Sequence, residues 1–228
     1  MTYVLRCGHR GACGYAPENT LSSFRKALEL GADIVELDAQ VCASGEVVVI
    51  HDAAVDRTTN GTGFVDEMNL DELKALDAGG GEKIPTLCEV LDLVDKKAIV
   101  NIELKGEGIA ASVLAVMDDY IRAHGWSFDN FLVSSFDHLQ LWEMKTLNSP
   151  VKAGVLVTMI PPDLVPFAKE LGAWSLNVPK ESVTKDFVEA VHKNEMKVLA
   201  YTANTPEEIV RLKSLEVDGI FSDYPDRI

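Results

Sequence analysis

Short apolar stretches alternate with amphipathic ones along the whole chain, and this alternation restricts the fold more than any other feature. Strand candidates fall near residues 3–8, 33–38, 98–104, 130–135, 152–157, 174–178, 196–202 and 218–222. Helical periodicity falls near 20–30, 86–94, 109–124, 137–147, 163–171, 184–194 and 205–215. Strands separated by helices pair in parallel, and eight such units fit a (β/α)8 TIM barrel. A doubly wound open sheet is the alternative. It would want a glycine-rich dinucleotide turn after the first strand, and Gly8-His9-Arg10-Gly11-Ala12 lacks that spacing. Thr86 with Glu89 and Thr205 with Glu208 have capping-box spacing, and Pro206 suits a first helical position. Gly31, Gly125 and Gly172 follow helices where a left-handed cap is common. The last helix is expected to be curtailed, since the sequence stops at Ile228. No repeat or low-complexity linker interrupts the alternation, so residues 1–228 read as a single domain.

Charge narrows the class of partner. The chain carries 21 Lys plus Arg against 36 Asp plus Glu, a formal net charge of −15. Nucleic acid and anionic membranes need a positive footprint, so both are disfavoured. A small anionic substrate would have to be held by local cations. Apolar runs stay well short of the roughly 18 residues of a membrane span. The first residues include Arg6, His9 and Arg10, so no secretory signal is visible and a cytoplasmic location is expected. Cys7, Cys13, Cys42 and Cys88 have no zinc-like spacing and are expected to be free thiols.

Chemistry concentrates in residues 36–52. Over Asp33 to Asp38 the strand period puts Ile34, Glu36 and Asp38 on one face and Val35 and Leu37 on the other. Two buried carboxylates on one face repel unless they share a proton or hold a cation. The chain then reverses at Ser44-Gly45 and returns through Val47 to Ile50, ending in His51-Asp52. A two-residue turn there would place His51 opposite Asp38. In the strand near 98–104, Ala98, Val100, Ile102 and Leu104 form the outer face, so Asn101, Glu103 and Lys105 point inward. Glu103 would complete an oxygen-rich cage with Glu36 and Asp38, suited to one divalent cation, Mg²⁺ or Ca²⁺. Barrel active sites are built from the carboxyl ends of the strands. His9 and His51 would serve there as general acid and base. Arg10 and Lys105 would hold phosphate, and Gly8 and Gly11 are expected to allow its close approach. These groups together point to phosphate-ester cleavage.

The ordered motifs resemble those of the glycerophosphodiester phosphodiesterases. They are His9-Arg10-Gly11, Pro17-Glu18-Asn19-Thr20, Glu36-Leu37-Asp38, His51-Asp52, Thr58-Thr59-Asn60-Gly61, Pro85-Thr86-Leu87, Glu103-Leu104-Lys105 and Asp218-Gly219-Ile220. The resemblance covers nearly the whole chain. It implies a barrel of the phosphatidylinositol-phospholipase-C-like kind, and hydrolysis of a small-molecule glycerophosphodiester to sn-glycerol 3-phosphate and an alcohol. It further implies metal binding by Glu36, Asp38 and Glu103, acid–base work by His9 and His51, and phosphate contact by Arg10 and Lys105. Residues 53–85 match the family's insertion after the second strand, expected to be a lid or rim that shapes substrate access. One departure concerns the seventh strand, where a Trp-Thr pair is usual and Tyr201-Thr202 stands, so Tyr201 is expected to form the aromatic wall of the pocket. A lysophospholipase D or phospholipase C would need an exposed apolar rim, and residues 53–85 offer little beyond Phe64, Val65 and Met68. A non-catalytic phosphate-binding barrel would show erosion of the histidines or carboxylates, and all are present.

Overall fold

A computed structural model describes residues 3–147 and 149–228. The strands are β1 (Leu5–Gly8), β2 (Ile34–Val41), β3 (Val47–Val49), β4 (Ile99–Leu104), β5 (Phe131–Ser135), β6 (Lys152–Leu156), β7 (Ser175–Pro179), β8 (Lys197–Tyr201) and β9 (Gly219–Ser222). All but β3 run parallel and close into a barrel in the order β1-β2-β4-β5-β6-β7-β8-β9. The seam is the β1–β9 ladder, Leu5 beside Gly219 through to Gly8 beside Ser222. Helices α1 (Leu21–Glu29), α3 (Leu87–Val94), α4 (Ala110–His124), α5 (His138–Thr146), α6 (Leu164–Leu171), α7 (Lys185–His192) and α8 (Pro206–Ser214) connect the barrel strands. The short α2 (Leu70–Ala75) lies in the excursion between β2 and β4. Only a 3-10 turn, Pro225–Arg227, follows β9.

Helix ends follow the sequence punctuation. Thr86 and Thr205 each close a reciprocal capping box with Glu89 and Glu208. Gly125 and Gly172 end α4 and α6 with left-handed φ of 69° and 73°.

Strand alternation sorts the core into layers. Outward residues such as Val35, Leu37, Val100, Ile102, Val133 and Val198 pack under the helices, with Phe24, Leu91 and Met117 as fully buried partners. Each buried Leu, Phe or Met there stabilises the fold by roughly 1.5–3 kcal/mol. Inward residues Cys7, Ile34, Leu132, Leu199 and Phe221 form an apolar plug in the lower barrel. A third cluster, including Val48, Ile50, Val55, Val65, Leu73 and Ile84, lies beneath the excursion that follows β3.

The hairpin departs from expectation in its register. Ala39 pairs with Val49 and Val41 with Val47, and the Ile50 amide donates to the Asp38 carbonyl at 2.9 Å. Ile50, and not His51, therefore lies opposite Asp38. The loop holds three residues instead of two: the Cys42 amide donates to the Glu46 carbonyl and Gly45 takes φ of 99°. A left-handed glycine as third loop residue is a standard hairpin solution, and it shifts the pairing by one.

Candidate active site

The carboxyl ends of the strands surround a cavity of about 270 Å³, lined in part by His9, Arg10, Glu36, His51, Glu103 and Lys105. Phe136, at the end of β5, and Tyr201 add aromatic walls. Each expected site residue reaches this mouth, with Asp38 just behind the lining and fully buried.

β2 supplies the floor. Glu36 and Asp38 share its inner face beside Asn101 and Glu103 of β4, since Glu36 pairs with Asn101 and Asp38 with Glu103. Oxygens of Glu36, Asp38 and Glu103 all lie within 4.8 Å of one another. Burial first, and repulsion from Asp38 second, push the Glu36 carboxyl up to about 8 and raise that of Glu103 as well. Three clustered carboxylates are hard oxygen donors of the kind a divalent cation takes.

Asp38 is further fixed by Asn19, whose Nδ2 donates to Oδ2 at 2.8 Å while Oδ1 accepts from the Asp38 amide at 3.3 Å. β4 continues its ladder one residue further, the Lys105 amide donating to the Ala39 carbonyl, so the Lys105 side chain also points inward. Its Nζ donates to Glu103 Oε1 at 2.8 Å and to His51 Nε2 at 3.1 Å, and lies 3.7 Å from Asp38 Oδ1.

His9 and Arg10 leave β1 in a tight turn. Arg10 has φ of 49° and its amide donates to Glu36 Oε2 at 2.6 Å. Its guanidinium donates to Glu18 at 2.7 Å and approaches Asp38 at 3.5 Å. The neighbouring glycines serve packing instead of a ligand. A Cβ on Gly8 would lie 2.6 Å from the Gly11 carbonyl oxygen, and one on Gly11 would lie 2.4 Å from Ser23 Oγ of α1. The close approach they allow is that of a helix.

Each histidine is tied to a carboxylate through Nδ1. His9 meets Asp223 Oδ1 at 2.7 Å and His51 meets Asp52 Oδ1 at 2.6 Å. Burial opposes protonation of His9, but Asp223 and Glu36 outweigh it and the imidazole pKa is raised. Asp223 is held at about 2, because its bonds to His9 and Cys13 overcome its own burial. Arg57 holds Asp52 well below the usual carboxylate range, with His51 adding to the effect. Arg57 joins Asp52 to Glu18 through paired bonds of 2.6 to 3.0 Å on each side.

Asp223, Gln40 and Arg57 contact the two histidine segments, and sequence reasoning leaves them unassigned. Asp223 stands just past β9, the position where barrel residues become catalytic, and that rule could have found it. Gln40 and Arg57 act through contacts that no local pattern announces. The excursion at 53–85 touches the site through Arg57, while the cavity lining comes from strand ends and the loops after them.

A barrel mouth with hard-cation donors, two carboxylate-backed imidazoles and two fixed cations is equipped for hydrolysis of a phosphoric diester. The glycerophosphoryl diester phosphodiesterase family model matches residues 9–227. A glycerophosphodiester phosphodiesterase of Caldanaerobacter subterraneus subsp. tengcongensis is 38% identical over 239 residues, covering 99% of this chain and 96% of that protein. One from Bacillus altitudinis is 36% identical, covering 96% and 94%. Among solved structures, an Oleispira antarctica phosphodiesterase in complex with the product sn-glycerol-3-phosphate superposes with a TM-score of 0.91. It is 32% identical and the match covers 100% of this chain and 95% of that one. The chain belongs to the glycerophosphoryl diester phosphodiesterase family and is a phosphoric diester hydrolase. Among the described residues, no helix is long and apolar enough to cross a membrane.

Proposed function

We propose that the protein hydrolyses glycerophosphodiesters to sn-glycerol 3-phosphate and an alcohol by two-histidine acid–base chemistry, with one Mg²⁺ or Ca²⁺ bound by Glu36, Asp38 and Glu103. The observation that carries this is the matched state of His9 and His51. Both spend Nδ1 on a carboxylate, so Nε2 is the working nitrogen of each ring beside one carboxylate-floored cavity, that of His51 meeting Lys105 Nζ at 3.1 Å. The Oleispira relative, bound to sn-glycerol-3-phosphate, supports the substrate class.

A divalent cation held by Glu36, Asp38 and Glu103 would supply charge stabilisation to the phosphoryl group. Arg10 and Lys105 hold the phosphate, and their existing bonds to Glu18 and Glu103 fix where their positive charge sits. Phe136 and Tyr201 meet edge to face with ring centres 6.2 Å apart and wall the organic part of the substrate. The Tyr201 hydroxyl donates to the Val157 carbonyl at 2.6 Å, so the ring is presented and the phenol is occupied. One imidazole takes the proton of the attacking hydroxyl as the new P–O bond forms. The other gives its proton to the departing alcohol oxygen as the old P–O bond breaks. Glycerol's 2-hydroxyl or water can attack, and accumulation of a cyclic phosphate separates the two routes.

Residues 1–228 work on this view as one catalytic domain, the 53–85 excursion being continuous with it through Val48 and Ile50. The test is turnover of a panel of glycerophosphodiesters with and without Mg²⁺ or Ca²⁺, read by release of glycerol 3-phosphate. Turnover that survives complete chelation would overturn the metal assignment.

A further inference from the structure

The corner that carries His51 has almost no backbone ladder of its own. After the Ile50 amide bonds to Asp38, the next backbone amide to find a backbone partner is that of Val55, which donates to Gly63 at 3.0 Å. Between them, three successive carbonyls converge on one side-chain amide and share its two N–H donors. Gln40 Nε2 lies 3.0 Å from the Ile50 oxygen, 3.2 Å from that of His51 and 2.7 Å from that of Asp52. Among the described residues no other group donates to these oxygens.

Gln40 is buried, so an unmet partner on either side would be costly, about 1–3 kcal/mol for each group left unpaired. It also shares the inner face of β2 with Glu36 and Asp38. One strand thus carries two of the carboxylates at the floor and the clamp on the histidine corner.

We propose that Gln40 is a positioning residue, which fixes the His51–Asp52 corner relative to the carboxylates of β2. It reaches the reaction only through His51, and the proposal rests on the two-histidine function argued above. Arg57 pins the Asp52 side chain from outside, whereas Gln40 pins the peptides from inside. Without it the His51 imidazole would keep its carboxylate partner and lose its fixed distance to the cavity. A displacement of about 1 Å in a catalytic group can cost about 10²-fold in rate.

The test uses Gln40→Leu and Gln40→Glu in the metal-loaded enzyme. Both keep most of the side-chain volume and remove the N–H donors, and the second serves if the first does not fold. Turnover of an unactivated glycerophosphodiester should fall about 10–10²-fold in kcat with KM unchanged. Calorimetric affinity of Gln40→Leu for Mg²⁺ should stay at the parental value. The low-field His51 Nδ1–H resonance should broaden, and that of His9 should not move. In a double-mutant cycle, adding Gln40→Leu to His51→Ala should cause no further loss. Parental kcat in the single variants, an equal loss in the His51→Ala background, or a fall in the metal affinity of Gln40→Leu would each overturn the proposal. Parental turnover by His51→Ala itself would sink the two-histidine function instead, and the resonance would still report whether Gln40 holds the corner.

Discussion

His9–Asp223 and His51–Asp52 are nearly superimposable in chemistry and opposite in construction. In the first pair the partners stand 214 positions apart and meet only because β1 and β9 close the barrel. Asp223 is braced from behind by Asn204, whose Nδ2 donates at 2.6 Å, and by the Cys13 thiol at 3.0 Å. In the second pair the partners are consecutive residues, held by Gln40 from the barrel side and by Arg57 from the excursion. The seam pair inherits rigidity from the sheet. The corner pair depends on side chains that reach across from other elements, so the two should fail under different perturbations.

The largest expected effect treats the pairs alike. His9→Ala and His51→Ala should each fold, bind Mg²⁺ and lose about 10²–10⁴ in kcat toward an unactivated diester. A nitrophenyl diester, whose leaving group needs little protonation, should partly rescue the variant lacking the acid and not the one lacking the base. Near-parental turnover by either variant would break the symmetry on which the comparison rests.

Smaller losses should follow from Asp223→Asn and Asp52→Asn, about 10–10²-fold each, since partners that orient an imidazole cost that much when changed. Here the pairs should diverge in stability. Asp223→Asn should lower the unfolding temperature more than Asp52→Asn, because Asp223 also bonds Asn204 and Cys13 at the barrel seam. Equal shifts on thermal unfolding would show that the seam adds no rigidity.

Arg57→Ala should affect the corner pair and Glu18 and spare the seam pair, reducing kcat by a few fold, and should leave its mark in acid. Burial would raise the Glu18 carboxyl, but bonds from Arg57 and Arg10 hold it at about 2 against an ordinary 4.5. A carboxylate depressed by folding contributes stability that is present above its unfolded value and is lost as pH falls through its folded one. The parent should therefore exceed Arg57→Ala in unfolding temperature at neutral pH, and the gap should narrow between pH 4.5 and 2, the Asp52 share persisting to lower pH. A gap that persists undiminished at pH 2 would show that Arg57 stabilises by packing.

The smallest effect is expected from Cys13→Ser, which keeps a donor to Asp223. Turnover should change by less than about three-fold, the loss of one ordinary hydrogen bond's geometry setting the limit. A larger fall would mean that the thiol itself tunes His9.

Much of this molecule follows from local period. Alternation at Ile34 to Asp38 and at Ala98 to Lys105 settles which side chains point into the barrel, because successive residues of a strand must face opposite ways. That is enough to bring Glu36, Asp38, Glu103 and Lys105 into one cage once eight strand–helix units dictate the barrel, and all eight strands lie where the apolar runs place them. β2 runs on to Val41, past the expected end at 38, because the hairpin partner β3 extends its pairing. Tertiary structure alone decided the rest. Ser44-Gly45 suits a two- or a three-residue loop, and packing of Val48 and Ile50 under the excursion accompanies the register in which Ile50 faces Asp38. His51 comes to the site through the fold of the chain beyond β3 and the clamp of Gln40. Asp223 becomes the partner of His9 only when the ends of the sheet meet, and Arg57 reaches Asp52 only when the excursion folds back. Side chain positions within one strand follow from its geometry, whereas meetings between distant segments depend on closure, which no short stretch of sequence contains.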